Sequence, residues 1–478
     1  MRLGDLLVAA KLVTPEQIDE ALALQVTDGR RLGEILVAGG ALTQAALERF
    51  LHRVPREPGS IADTRIDEQT LIGLMLKLIH VGRHETIPAI AEAIKLPHHV
   101  VAELVMMASQ RRLIRTLGER GKLMAYVLTE EGSRQAQDAM SQCQYTGPAP
   151  VALDDFVALI ELQKIHNVKV TFAKIRAAFG VLEIADAFIE KLGPALNSDR
   201  AMLLYGPPGN GKTSITRSFA SIFDDLIYVP YAVMVGGQIM RVYDPSVHVS
   251  PPQQAETAVP ASTSIFRAEK ADARWVPCLR PFVVTGGELT LDMLDLKYSS
   301  VANFYEAPLH VKAMGGCFVI DDFGRQLVAP TVLLNRWIVP MENKVDFLTL
   351  HTGKTFTLPF EALLVFSTNL EPEDLMDAAF LRRLPYKLEV GTPSRDSFRR
   401  IFDRVSRQQG MTMSDEAFDE IVHRITEVKQ LDLAAYMPKF IVDQLVAACR
   451  FLDLPPRFES RFIEYAVDNL RVHRSKAA

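Results

Sequence analysis

The sequence predicts an α/β fold with a parallel sheet from about residue 152 onward, closed by a C-terminal helical tail. Three observations carry this expectation. Ala201-Met202-Leu203-Leu204-Tyr205, Cys317-Phe318-Val319-Ile320 and Ala362-Leu363-Leu364-Val365-Phe366 are short apolar runs of the buried-strand kind. Each run stops abruptly, at Gly206, at Asp321-Asp322 and at Ser367-Thr368-Asn369. Ser214 to Phe223, just beyond the first run, reads as a helix.

The 478 residues are too many for one core, so about two to four domains are expected. Hydrophobic residues make up 48% and charged residues 23%, ordinary globular usage. The formal net charge of −5 gives no global argument for nucleic acid. Cys143, Cys278, Cys317 and Cys449 form no CxxC pair, which argues against a zinc site and a disulfide frame and suits a reducing compartment. No apolar run reaches the ~18 residues of a membrane span. The start, Met-Arg-Leu-Gly-Asp, lacks the apolar stretch of a signal peptide. The expected location is the cytoplasm, without membrane insertion.

The first segment, residues 1–56, is helical and echoes itself. Arg2-Leu3-Gly4-Asp5-Leu6-Leu7-Val8 recurs as Arg31-Leu32-Gly33-Glu34-Ile35-Leu36-Val37. Thr14-Pro15 and Thr43 then supply helix starts. A Pro/Gly-rich linker follows at Pro55 to Ser60. Residues 62–146 read as a second small domain: three helices, two short strands joined by the turn Gly118 to Lys122, and a last helix after Thr129. That order resembles a winged helix. The presumptive recognition helix after Pro97 mixes His98, His99 and Glu103 with apolar residues, and Arg111-Arg112 follow it, so DNA contact is possible but not favoured. Residues 152–392 make the large α/β part and 393–478 the helical tail. The stretch from about Asp244 to Asp272 is poor in hydrophobic residues and reads as a mobile surface insertion.

The chemistry centres on Gly206-Pro207-Pro208-Gly209-Asn210-Gly211-Lys212-Thr213, with Ser214 behind it. Strand, glycine-rich loop and helix in that order form a phosphate cradle. Glycines let backbone N–H groups turn inward, and the helix start adds a positive end. Lys212 would neutralise β- and γ-phosphates, and the Thr213 hydroxyl would ligate Mg²⁺. Asp321, at the next strand end, would hold the same metal; Asp322 would polarise the attacking water. Asn369 ends the third strand and could position that water. Arg382 and Arg383 could reach a neighbouring subunit's nucleotide, and Lys439, opening a tail helix, could reach the γ-phosphate.

In this order the motifs resemble those of the AAA+ ATPases, over about residues 165–478. The resemblance implies ATP and Mg²⁺ as cofactors and an ATP hydrolase that works as a homo-oligomeric ring, a hexamer being favoured. It assigns Lys212 and Thr213 to Walker A and Asp321 and Asp322 to Walker B. It likewise puts Asn369 at sensor 1, Arg382 and Arg383 in the arginine-finger region and Lys439 at sensor 2. Two departures stand out: Asp322 replaces the usual glutamate, and Lys439 the usual arginine. The long separation of Walker A from Walker B points to an insertion at about 236–313, facing a pore or a partner.

The doubled Arg-Leu-Gly unit looks like MshEN, the N-terminal domain of type II secretion and type IV pilus ATPases. That resemblance implies cyclic di-GMP as a regulatory ligand, held by Arg2, Gly4, Leu7, Val8 and Gln25 from the first unit. Arg31, Leu32, Gly33, Leu36, Val37 and Gly40 would come from the second. Lys11 stands where the first unit expects glycine, and Val54 near where the second expects glutamine. The expected function is an ATPase that remodels or switches a protein client, with a DNA-associated switch as the alternative.

Overall fold

The structure is a computed structural model that describes residues 3–28, 30–120, 123–198, 200–251 and 271–470. Most of the predicted surface insertion, residues 252–270, lies outside the described residues, as does Arg2.

Four short helices, Leu3–Ala9, Pro15–Asp28, Leu32–Ala38 and Gln44–Arg53, form the first unit. Leu7, Val13, Ile18, Ile35, Leu36, Leu42 and Leu47 fill its core. The repeat glycines have a packing reason. A Cβ on Gly33 would lie 2.8 Å from Leu47 Cδ2, and one on Gly4 would lie 3.1 Å from Ile18 Cγ2. The glycines thus let each Arg-Leu-Gly helix lie close against the helix that follows it.

The next unit is three helices, Glu68–Gly82, Ile87–Ile94 and His98–Gln110, a hairpin Ile114–Arg120 with Leu123–Leu128, and the helix Glu130–Gln142. Asp67, Thr86 and Thr129 each cap a helix by accepting a backbone N–H. Its core continues into Ala232 and Ile239 of the large α/β unit. Those residues belong to a five-stranded mixed sheet whose edges are Lys297–Ser299 and Val151–Ala152. Tyr145 packs edge-on against Phe304, and Asn303 Nδ2 donates to Ser141 O at 2.9 Å.

The expected insertion at 236–313 is therefore not one excursion. Gln238–Arg241, Lys297–Ser299 and Phe304–Glu306 build the sheet beneath the second unit, whereas Phe282–Thr285 returns to the central sheet. The flanks of the undescribed stretch are also held in place. His248 is buried with Nε2 2.8 Å from Lys312 O, Asp244 pairs with Lys312 at 2.7 Å, and Asp272 is buried in a pair with Arg274 at 2.8 Å. The low apolar content of this region concealed one buried ion pair, Asp272 with Arg274, and a half-buried one, Asp244 with Lys312.

The central sheet has five strands, numbered here in chain order: β1 Met202–Tyr205, β2 Phe282–Thr285, β3 Cys317–Ile320, β4 Leu363–Ser367 and β5 Tyr386–Glu389. Their spatial order is β5-β1-β4-β3-β2, and every pairing is parallel. Both faces are covered, which explains the continuous apolar runs. Leu203, Phe318, Leu364 and Phe366 face a core that includes Trp337. Met202, Leu204, Val319 and Val365 face Ile215 and Phe219 of the helix Lys212–Ile222. The tail is a separate helical core around Phe398, Phe402, Phe418, Ile421, Ile441, Leu445 and Phe462.

Candidate functional site

The glycine-rich loop leaves β1 with Gly206, Gly209 and Gly211 at φ of 130°, 80° and 88°. These are conformations that side-chain-bearing residues rarely adopt. A Cβ on Gly206 would stand 2.7 Å from Val390 O, so that glycine also allows the strand ends to meet. Pro207, Pro208 and Gly209 are exposed at the crest; Asn210 and Lys212 are buried beneath, and Ser214 is exposed on the first helical turn. Lys212 folds back on the loop, Nζ donating to Gly206 O at 2.7 Å and Pro207 O at 2.9 Å. Burial lowers the pKa of this ammonium, against the nearby Asp321 and Asp322 carboxylates, which raise it.

Neighbouring strand ends converge on the loop, the place where parallel α/β sheets bind ligands. Thr213 Oγ1 donates to Asp321 Oδ2 at 2.7 Å. Asn369 Nδ2 donates to Asp322 Oδ1 at 2.9 Å. Asp322 has φ of +48°, a left-handed conformation in which Asp and Asn are enriched among non-glycine residues. The choice of Asp at this position thus has a backbone reason.

The structure does not gather every predicted residue. Lys439 is exposed and pairs with Asp443 along its own helix at 2.5 Å. Arg383 is held by Glu342 at 2.6 Å and by Ala379 O at 2.9 Å. Arg382 is exposed, with no side-chain partner among the described residues. Gly40 is exposed with φ of +72°, and Gln25 Nε2 donates to Arg30 O at 3.0 Å. Arg31 caps the helix that begins at Leu32, through its backbone N–H to Glu34.

Sequence reasoning missed two sets of contacts. The tail clasps the loop at the start of the helix Met437–Phe451: Tyr436 N donates to Gly209 O at 3.0 Å, and Ala435 N donates to Asn210 Oδ1 at 3.1 Å. Asn210 Nδ2, also buried, has no hydrogen-bond partner among the described residues. Gln326 Nε2 donates to the carbonyls of Gly286, Asp321 and Asp322 at 3.3, 3.2 and 3.3 Å, tying the end of β3 to the end of β2. These contacts are made largely to backbone groups and leave no sequence pattern.

Comparison with known proteins adds the following. Residues 394–469 match a domain of unknown function (DUF8689). No curated protein matches the chain. Among solved structures, the RuvB Holliday junction branch migration motor of Thermotoga maritima is similar at 15% identity, covering 67% of this chain and 72% of that one, with a TM-score of 0.30. A point mutant of the same RuvB is similar at 13% identity, covering 61% and 71%, with a TM-score of 0.35. The FIGL-1 AAA domain is similar at 13% identity, covering 68% and 91%, with a TM-score of 0.32. The glycine-rich loop after β1, the acids after β3 and the Asn after β4 meet at one end of the parallel sheet, and the helical tail is clasped to that loop. The fold is α/β, with a parallel central sheet and a separate helical tail. No helix among the described residues is long and apolar enough to cross a membrane.

Proposed function

We propose that the chain is an AAA+ ATPase that binds ATP with Mg²⁺ at residues 206–214 and hydrolyses it to remodel or switch a protein partner. One observation carries the reading: the Thr213 hydroxyl meets the Asp321 carboxylate at 2.7 Å while Asn369 meets Asp322 at 2.9 Å, on the same rim as Lys212. The donor set fits the cofactors. Thr213 and Asp321 offer two hard oxygens for Mg²⁺, which would supply charge neutralisation at the phosphates. The loop carbonyls that now accept from Lys212 keep that ammonium on the loop until phosphate oxygens replace them.

In this reading Asp322 accepts the proton side of the attacking water and Asn369 holds the Asp322 carboxylate in place. Arg382, exposed and without a side-chain partner among the described residues, is the better candidate to act on a neighbour's nucleotide, which requires a ring; Arg383 first has to leave Glu342. Lys439 contributes only if it exchanges Asp443 for phosphate. Localisation in the cytoplasm and hexameric assembly belong to the same proposal.

The geometry favours a docking role over a cyclic di-GMP site for residues 3–54, because packing accounts for Gly4 and Gly33. Protein rather than DNA is the favoured partner of the winged-helix-like unit. Its helix His98–Gln110 carries no Lys or Arg and exposes Ala102, Glu103 and Met106. The test is Asp322→Asn in full-length protein: ATP binding persists and turnover stops. Unchanged turnover would refute the assigned role of Asp322.

A further inference from the structure

The two N-terminal units match position by position, so their differences can be read directly. Lys11 corresponds to Gly40, and Val54 to Gln25. Lys11 and Gly40 share a left-handed backbone, with φ of +55° and +72°. At Gly40 an added Cβ would meet nothing within 4 Å, whereas Lys11 Nζ reaches Asp224 Oδ2 at 2.7 Å. Gln25 bonds locally to Arg30 O, whereas Val54 packs against the main core of the ATPase-like unit, together with Phe50. Leu6, fully buried, joins that core too. Arg53 lies 3.7 Å from Asp225. Both departures from the sister unit are therefore contacts with the large unit. A residue that keeps a left-handed backbone without being glycine is held there by something it gains.

The acceptor side is equally specific. Asp224 and Asp225 form the turn just beyond the phosphate-loop helix Lys212–Ile222. Asp224 also pairs with Lys174 at 2.9 Å, and Asp225 with Arg280 at 2.6 Å. Lysine contacts outweigh burial and hold the Asp224 carboxyl below its usual range. The helix is 11 residues long. At about 1.5 Å rise per residue it spans roughly 16 Å between this turn and Lys212 and Thr213. Past the helix Gln44–Arg53 the linker is pinned as well: Asp272 N donates to Pro55 O at 2.9 Å, and Arg56 bridges to Ala271.

We propose that residues 3–54 are a docking domain that senses nucleotide occupancy through the Asp224–Asp225 turn at the far end of the phosphate-loop helix. The inference rests on the nucleotide-binding reading of residues 206–214. A packed helix whose two ends contact different sites offers a physical route for coupling between them, and any such coupling is reciprocal.

The test compares full-length wild type with Lys11→Gly/Val54→Gln, which gives each docking position its sister unit's residue. Hydrogen–deuterium exchange is followed with and without a non-hydrolysable ATP analogue and Mg²⁺, and analogue affinity is measured on the same samples. Lys11→Gly suits the left-handed backbone, so folding is retained; Arg53→Ala, which removes the half-buried arginine facing Asp225, serves as a second undocking variant. In wild type, nucleotide changes the exchange of amides in 3–54 by roughly fivefold or more, the low end of ordinary coupling. In the undocking variants that response is lost and nucleotide affinity shifts by a matching factor. Saturating nucleotide that leaves wild-type exchange in 3–54 unchanged overturns the inference. Absence of nucleotide binding in wild type refutes the site reading instead.

Discussion

One half of the clasp between the helical tail and the glycine-rich loop passes through Gly209, and Gly209→Ala tests it. Gly209 has φ of +80°, and an added Cβ would sit 2.3 Å from Tyr436 Cδ1 and 3.0 Å from Tyr436 Cε1. Two costs follow. A non-glycine residue in a left-handed conformation costs about 1–2 kcal/mol. The Tyr436 ring must also move, which breaks the 3.0 Å bond from Tyr436 N to Gly209 O, worth about 0.5–1.5 kcal/mol net. Gly237→Ala is the control: its φ is +85° and nothing lies within 4 Å, so only the backbone cost applies. The excess of Gly209→Ala over the control, about 1 kcal/mol, belongs to the clasp, and about 1.4 kcal/mol is tenfold in affinity. Thermal unfolding and calorimetric ATP titration of both variants should give Gly209→Ala ATP binding weaker by roughly fivefold or more, with Gly237→Ala unchanged. Equal stability and equal ATP affinity in the two variants would refute the clasp.

Other outcomes follow from the same geometry. Arg382→Ala should lose turnover while keeping nucleotide affinity, and mixing it with Lys212→Ala should restore part of the activity; no restoration, with a monomer at all concentrations in ATP, contradicts a shared site. Asp346 is buried between His310 at 2.6 Å and Arg336 at 2.7 Å. Burial raises its carboxyl pKa, but the hydrogen bonds from His310 and Arg336 outweigh that and hold it at about 2, below the ordinary 3.8 of an aspartate. A depressed acid stabilises above its unfolded value and loses that contribution as pH falls from 3.8 toward about 2. Asp346→Asn should therefore cost about 3–5 kcal/mol near neutral pH, by stranding Arg336, and should flatten this acid limb of a melting-temperature profile. An unchanged profile would remove Asp346 from the account.

The apolar runs of β1, β3 and β4 were legible because a parallel strand covered on both faces needs no alternation. β2 was not: Phe282-Val283-Val284-Thr285 is the edge strand, with Val284 exposed, and the strands of the mixed sheet before and after it hid its return to the central sheet. Residues 206–213, Asp321, Asp322 and Asn369 could be picked out because each polar or glycine-rich group ends a buried apolar run, and the structure brings them to one rim. The clasp from Ala435 and Tyr436 was not legible, because backbone N–H groups make it. The doubled unit at the N-terminus was visible as a repeat. Its glycines read equally well as ligand contacts or packing contacts until Leu47 and Ile18 were seen against them.

Nucleotide binding by Lys212 is the claim on which the rest depends. Its ammonium is buried under the loop, 2.7 Å from Gly206 O, where phosphate oxygens would replace that carbonyl. Calorimetric titration of wild type and Lys212→Ala with ATP and Mg²⁺ tests it most directly. The account predicts saturable binding to wild type and a loss of at least roughly tenfold in affinity for Lys212→Ala, the effect of removing one charge-assisted contact of about 1.5–3 kcal/mol. Wild-type affinity in Lys212→Ala would contradict it.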